Sequence, residues 1–221
     1  SASYADDQDL YAEEINQNDA EKYKSLDSWK TFRSEETVIK IKGDNSKKIK
    51  LKWSENGPVL DKVTSQISDI TPPHHEMALS WTMLTPKDTS MTALINLTYS
   101  KDIKNALNAL EGHVAPSLNY TLIDKENIAL QLAGKLPKRG SDHNTQGRLP
   151  SFGYKEENRW RGYQSYDTNP RIINPEIGLI ANTNNKILDE LFPNHISYDW
   201  GDTQRIARLT RLMDSRKVHT R

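Results

Sequence analysis

Leu118-Asn119-Tyr120-Thr121-Leu122-Ile123, the turn Asp124-Lys125-Glu126-Asn127, and then Ile128-Ala129-Leu130-Gln131-Leu132 form the stretch that decides how this chain folds. Two short runs rich in apolar and β-branched residues flank a polar turn, the pattern of an antiparallel hairpin. Just upstream, Asp102 to Leu110 carries Ile103, Leu107 and Leu110 on one stripe, which reads as an amphipathic helix. Further back, Val38-Ile39-Lys40-Ile41-Lys42 and Lys48-Ile49-Lys50-Leu51-Lys52-Trp53 alternate with period two around Gly43-Asp44-Asn45-Ser46. That predicts a second hairpin with one buried face and one wet, lysine-coated face. Ala78 to Thr82 reads as a short buried strand centred on Trp81. Downstream, Gly134 to Pro175 shows almost no periodicity, and a helix is expected from near Asp202 with Ile206, Leu209 and Met213 on one face. The opening, Ser1 to Ser25, is acidic and polar, with Leu10, Tyr11, Ile15 and Tyr23 as scattered anchors.

Thirty basic and thirty acidic side chains among 221 residues give a formal net charge of zero. Such a balance argues against a general nucleic-acid binder, whose affinity rests on a basic excess. The absence of cysteine excludes disulfides and thiolate metal sites. No apolar run is long enough to span a bilayer. Only 35% of residues are hydrophobic and the mean hydropathy is −0.80. Either much of the chain is surface loop, or it packs against protein outside this sequence. The histidines, including His74-His75 and His219, show no metal-ligand spacing. Asn96-Leu97-Thr98 and Asn119-Tyr120-Thr121 fit the glycosylation pattern but fall in elements expected to be buried.

Several separated segments carry a resemblance through their order and spacing. They begin with Arg33-Ser34-Glu35-Glu36-Thr37, Glu55-Asn56-Gly57-Pro58 and Ala78-Leu79-Ser80-Trp81-Thr82. Asn119 through Ile128, Gly134-Lys135-Leu136-Pro137-Lys138-Arg139 and Trp160-Arg161-Gly162 follow. Asn174-Pro175-Glu176-Ile177-Gly178, Ala181-Asn182-Thr183-Asn184-Asn185 and Arg205-Ile206 complete the set. Together they resemble the β subunit of penicillin acylases, a branch of the N-terminal nucleophile (Ntn) hydrolases that includes acyl-homoserine-lactone acylases. Asn56 stands where the family usually has His, and Glu126 where it usually has Gly.

The resemblance implies an α+β fold, part of the Ntn αββα sandwich, with antiparallel strands, long loops and a few helices. It implies that residues 1–221 are a single partial domain, internal to the β subunit. The nucleophile strand and the α subunit would then lie outside this chain. In the family the nucleophile is a serine freed by autoproteolysis, with its own α-amine as base. Ser1-Ala2-Ser3-Tyr4-Ala5-Asp6-Asp7 resembles a segment downstream of that serine, so this chain alone is expected to be inactive. The parent would be a periplasmic or secreted amidohydrolase, made as a zymogen, that deacylates penicillins, cephalosporins or N-acyl-homoserine lactones. A fragment of such layers leaves open edges and is expected to self-associate.

By the same resemblance, the backbone N–H of Ala2 and the side-chain amide of Asn184 form the oxyanion hole, and Arg205 lies near the nucleophile's amine. Leu118 would wall the acyl pocket. Asp6, Gln8, Asp9 and Gly147 would ligate Ca²⁺, with Asn194 nearest to a further ligand position. Read without the resemblance, Asn184 is a turn residue, Arg205 a solvated helix-start arginine, Leu118 ordinary core and Asp6-Asp7-Gln8-Asp9 a solvated acidic turn. Two other readings compete: a non-catalytic binding module that retains only the fold, and a register in which Ser1 is itself the processed nucleophile.

Overall fold

A computed structural model describes residues 1–62, 66–187 and 192–215. In chain order the strands are β1 (Gln8–Asn16), β2 (Asp19–Ser25), β3 (Ser28–Thr31), β4 (Arg33–Ile39), β5 (Lys47–Ser54), β6 (Gly57–Pro58), β7 (His75–Trp81), β8 (Leu118–Ile123), β9 (Ile128–Ala133), β10 (Ser151–Phe152) and β11 (Arg171–Ile173). The α-helices are α1 (Ser90–Thr98), α2 (Ile103–Leu110) and α3 (Gln204–Asp214). The chain divides into two compact units. One comprises Ser1–Asp7, Thr85–Leu136 and Tyr163–Arg221; the other comprises Gln8–Leu84 and Pro137–Gly162.

In the unit built on Gln8–Leu84, β1 is the hub of a five-stranded sheet. It pairs antiparallel with β7 from Gln8↔Trp81 to Glu14↔His75, antiparallel with β2, and parallel with β10. The acidic opening was expected to be polar with scattered anchors; instead it forms the most heavily paired strand. Its charge hides it, because Asp9 and Glu13 point inward as fully as Tyr11 and Ala12. Glu13 is held by Ser54 Oγ at 2.5 Å and Asn56 Nδ2 at 2.9 Å, both donating to Oε1. Its Oε2 has no partner among the described residues, and Gly153 closes over it so tightly that a Cβ there would sit 2.3 Å away. Met77 of β7 packs with Ala12 and Ile67 in the apolar core beside it. Gly57 at the start of β6 lies so close to β7 that a Cβ would fall 2.0 Å from the Leu79 carbonyl oxygen.

The β4–β5 hairpin forms as expected, in register from Arg33↔Trp53 to Ile39↔Lys47. Its apolar face is not buried, however: Val38, Ile39, Ile41 and Leu51 are all exposed. The ladder and the Arg33 guanidinium, 3.9 Å from the Trp53 ring centre, hold it rather than a core.

The other unit is organised by the β8–β9 hairpin, with β11 added on β9 to give the order β11-β9-β8. The hairpin forms because Asp124 locks the turn, accepting the N–H groups of Glu126 at 2.9 Å and Asn127 at 2.7 Å. The other oxygen of Asp124 takes the Ile103 N–H at 3.0 Å, anchoring the first turn of α2 on the same carboxylate. These backbone donors hold the Asp124 carboxyl down at about 2. Asp102 caps α2 by accepting the Asn105 N–H at 2.7 Å. The expected stripe of α2 is buried: Ile103 and Leu107 pack on Ala129 and Leu122, and Leu110 is fully enclosed. Helix α1 was not legible, since Met91 and Ile95 face outward while only Ser90 and Ala93 are buried. Asn119 is buried as expected, whereas Asn96 is exposed on α1. Helix α3 begins where Asp202 accepts the Gln204 N–H, and its stripe is half-buried.

Burial raises the Glu13 carboxyl above the ordinary glutamate range, and the Ser54 and Asn56 hydrogen bonds offset this only in part. A raised folded-state pKa makes its contribution to stability complete below the unfolded pKa of about 4.3 and lost as pH rises through the folded value. Glu13→Gln, neutral and of the same shape, is therefore expected to be more stable than the parent at pH 7 and to lose that advantage near pH 4. Urea unfolding followed by tryptophan fluorescence at both pH values checks this; equal midpoints at pH 7 would contradict it.

Candidate functional site

The N-terminal segment enters the site by pairing with β8. Ser1 N donates to Asn119 O at 2.7 Å, Asn119 N returns a bond to Ser1 O at 2.7 Å, and Ser3 N donates to Ser117 O at 3.2 Å. Ala2 therefore faces Leu118 across a non-hydrogen-bonded antiparallel pair, in which side chains approach closely. In such a pair the backbone N–H and C=O of Ala2 both point away from β8. On that outer side lies Asn184, whose Nδ2 donates to Ala2 O at 2.8 Å. The other end of the same amide accepts Nη2 of Arg205, in the first turn of α3, at 3.0 Å. Asn184 adopts a left-handed φ of 66°, which asparagine tolerates better than most residues.

Ala2, Asn184 and Arg205, far apart in sequence, are thus brought into one chain of contacts within one unit. The Arg205 bond fixes which end of the amide faces Ala2: the oxygen is taken, so the NH₂ points inward. An amide NH₂ has two hydrogens; one rests on Ala2 O, and the second has no partner among the described residues. A neutral amide hydrogen and a backbone N–H on the same side suit a small developing anion. Leu118 is half-buried opposite Ala2, an apolar neighbour at the edge of that spot. Ser1, the nucleophile of one competing reading, and Asn182, to which the sequence assigned no role, take part in the same cluster. The signal available for Asn182 was the Asn-x-Asn repeat, a pattern of side chain-to-backbone turns.

The calcium set is arranged differently. Asp6 lies in one unit, and Gln8, Asp9 and Gly147 lie in the other. Asp6 accepts the Tyr198 N–H at 3.1 Å and the Ser197 hydroxyl at 3.4 Å, with His195 Nε2 at 2.7 Å. Asp9, almost fully buried, is gripped by Arg139, with Nη2 at 2.8 Å from Oδ1 and Nε at 3.1 Å from Oδ2. Trp160 Nε1 adds a bond to Oδ2 at 2.6 Å. The Gln8 carbonyl takes a long bond from Arg139 Nη2 at 3.5 Å, and Gly147, at φ 82°, lies against Asp9 and Arg139. Asn194 donates to Thr168 O at 3.4 Å. Ca²⁺ needs six to eight oxygens with lone pairs free. Here both carboxylates are engaged by donors of the chain, one of them a buried guanidinium. No group of three or more acidic or imidazole side chains suited to a metal occurs among the described residues. Within each unit these oxygens are committed to the chain's own donors.

A family model described as Penicillin amidase matches residues 1–221. Acyl-homoserine lactone acylase QuiP of Pseudomonas aeruginosa is 24% identical over 219 residues, covering 97% of this chain and 26% of the relative. Penicillin G acylase of Escherichia coli is 23% identical over 219 residues, covering 97% of this chain and 24% of the relative. Among solved structures, the thermostable penicillin G acylase from Alcaligenes faecalis superposes with a TM-score of 0.82 at 21% identity, covering 99% of this chain and 38% of that one. The chain spans about a quarter of the length of the curated relatives it matches. That likeness bears out the α+β fold class.

Removing one partner of a buried ion pair typically costs about 3–5 kcal/mol. Asp9→Ala is accordingly expected to lower stability by about that amount in urea titrations. Adding CaCl₂ or EDTA is expected to leave the unfolding midpoint of the parent unchanged. A midpoint that rises with calcium would overturn this assignment of Asp9.

Proposed function

The chain belongs to the penicillin amidase family, and from that premise we propose that it supplies the oxyanion-binding part of an acyl-amide hydrolase acting through a serine acyl-enzyme. The observation that carries this reading is the contact of Asn184 Nδ2 with Ala2 O at 2.8 Å, with Arg205 holding the other end of the amide. The attacking serine, its α-amine base, the α subunit and the rest of the β subunit come from sequence outside these 221 residues. Without them this chain alone turns over no substrate. The family's relatives are named for penicillins and acyl-homoserine lactones, and the substrate class that unites them with cephalosporins is an acyl group in amide linkage. A parent of this kind works in the periplasm or outside the cell.

The chemistry follows from the groups in hand. The serine oxygen attacks the acyl carbonyl carbon as its proton passes to the α-amine. The carbonyl oxygen becomes an anion, and the Ala2 N–H and the second hydrogen of Asn184 Nδ2 donate to it. Being neutral, that pair stabilises the oxyanion without first neutralising the amine. The C–N bond then breaks, the proton goes to the leaving nitrogen, and water repeats the attack on the ester. Arg205 holds the Asn184 amide in this orientation, and its fixed positive charge disfavours protonation of a nearby amine, keeping the amine available as a base. Leu118 offers apolar surface to the acyl chain, worth about 0.8 kcal/mol per buried CH₂.

In the full-length polypeptide containing these residues, Asn184→Ala is expected to lower kcat about 10²–10³-fold, the usual cost of one oxyanion donor. KM should stay within a few-fold. Initial rates on penicillin G and on an N-acyl-homoserine lactone measure this. A variant that keeps half the parental kcat on the better substrate would contradict the assignment.

A further inference from the structure

We propose that Asn182 is the positioning residue of the oxyanion amide: a single oxygen, Asn182 Oδ1, holds both Asn184 and the segment that carries Ala2. This inference rests on the oxyanion role proposed for Asn184. The backbone N–H of Asn184 donates to Asn182 Oδ1 at 3.3 Å, closing a side chain-to-backbone turn. The Ser1 hydroxyl donates to the same oxygen. One acceptor therefore ties the 182–185 loop to the Ser1–Ser3 segment, alongside the bond of Asn184 Nδ2 to Ala2 O. A parallel brace stiffens the loop, as Thr183 N donates to Asn185 Oδ1 at 2.9 Å.

The orientation of the Asn182 amide is dictated by these donors. Turned end for end, it would set its NH₂ against the Asn184 N–H, two donors face to face. The observed orientation instead leaves Nδ2 buried, with no partner among the described residues. Buried amide donors are rarely left so, and here the two bonds to the oxygen hold the side chain in place. The held conformation matters because Asn184 sits at φ 66°, a region uncommon for non-glycine residues even though asparagine tolerates it better than most. With Oδ1 gone, only the side-chain bonds to Ala2 O and Arg205 hold Asn184, and its backbone can relax toward negative φ, shifting its NH₂ from the side of Ala2 that faces a ligand. Asn182 touches no reacting atom in this arrangement; it acts through Asn184.

Two variants separate this role from a general structural one. Asn182→Ala removes the oxygen, while Asn182→Asp keeps an acceptor at the same place. Hydrogen exchange of the Asn184 backbone N–H is expected to accelerate in Asn182→Ala and to stay slow in Asn182→Asp. In the full-length polypeptide, Asn182→Ala should lower kcat on penicillin G or an N-acyl-homoserine lactone by about 10–10²-fold, the scale of a misplaced catalytic group, with KM nearly unchanged. Unchanged exchange at Asn184 in Asn182→Ala overturns the proposal. So does an unchanged kcat in an enzyme that turns over. A parent enzyme with no turnover on either probe would instead sink the oxyanion reading, and the exchange comparison would still decide whether Asn182 holds Asn184.

Discussion

Three backbone hydrogen bonds between the Ser1–Ser3 segment and the edge of β8 decide which way Ala2 faces. Pairing alternates along an antiparallel edge, so a shift of one residue would turn the polar groups of Ala2 into the sheet and those of its neighbours outward. In the observed register the N–H and C=O of Ala2 leave on the free side, where the 182–185 loop and Arg205 stand. The candidate site is therefore a consequence of strand register, and the register is held from behind by the β8–β9 hairpin, its Asp124-locked turn and the α2 stripe packed on β9.

A chain this polar keeps its elements together by burying charge with partners. Asp9 closes on Arg139 and Trp160; Glu13 takes Ser54 and Asn56 and keeps one oxygen unpaired; Asp124 gathers backbone N–H groups. The Asp9–Arg139 contact specifies geometry more than it adds stability, because a buried ion pair spends on desolvation much of what it gains. The same device sets the surroundings of Asp6 in its own unit, where its oxygens take the Tyr198 N–H and the Ser197 hydroxyl. The apolar side chains of β4, β5 and α1, by contrast, stay exposed: Val38, Ile39, Leu51, Met91 and Ile95 all face outward.

What the sequence disclosed follows the same division. The β8–β9 hairpin and α2 were legible to within a residue, because their apolar periods coincide with their buried faces. Strand β1 was not, since inward-pointing Asp9 and Glu13 break the period that marks a strand, and their partners Arg139, Trp160 and Asn56 lie far along the chain. Helix α1 was hidden for the converse reason, its apolar residues being on the outside. At the site, Asn184 and Arg205 were singled out through the family resemblance; periodicity alone reads them as a turn and a solvated helix start. Asn182 escaped notice because a side chain-to-backbone bond to a left-handed neighbour leaves only a repeated asparagine in the sequence.

The central claim is that Ala2 N–H and Asn184 Nδ2 serve one anion together. The most direct measurement is a crystal structure of the full-length polypeptide with a phosphonate or boronate mimic of the tetrahedral intermediate bound. The account predicts one oxygen of the mimic within about 2.7–3.1 Å of both Ala2 N and Asn184 Nδ2, with Arg205 still on Asn184 Oδ1. A mimic whose oxygen meets neither donor, or that binds with the Ser1–Ser3 segment displaced from β8, would contradict it.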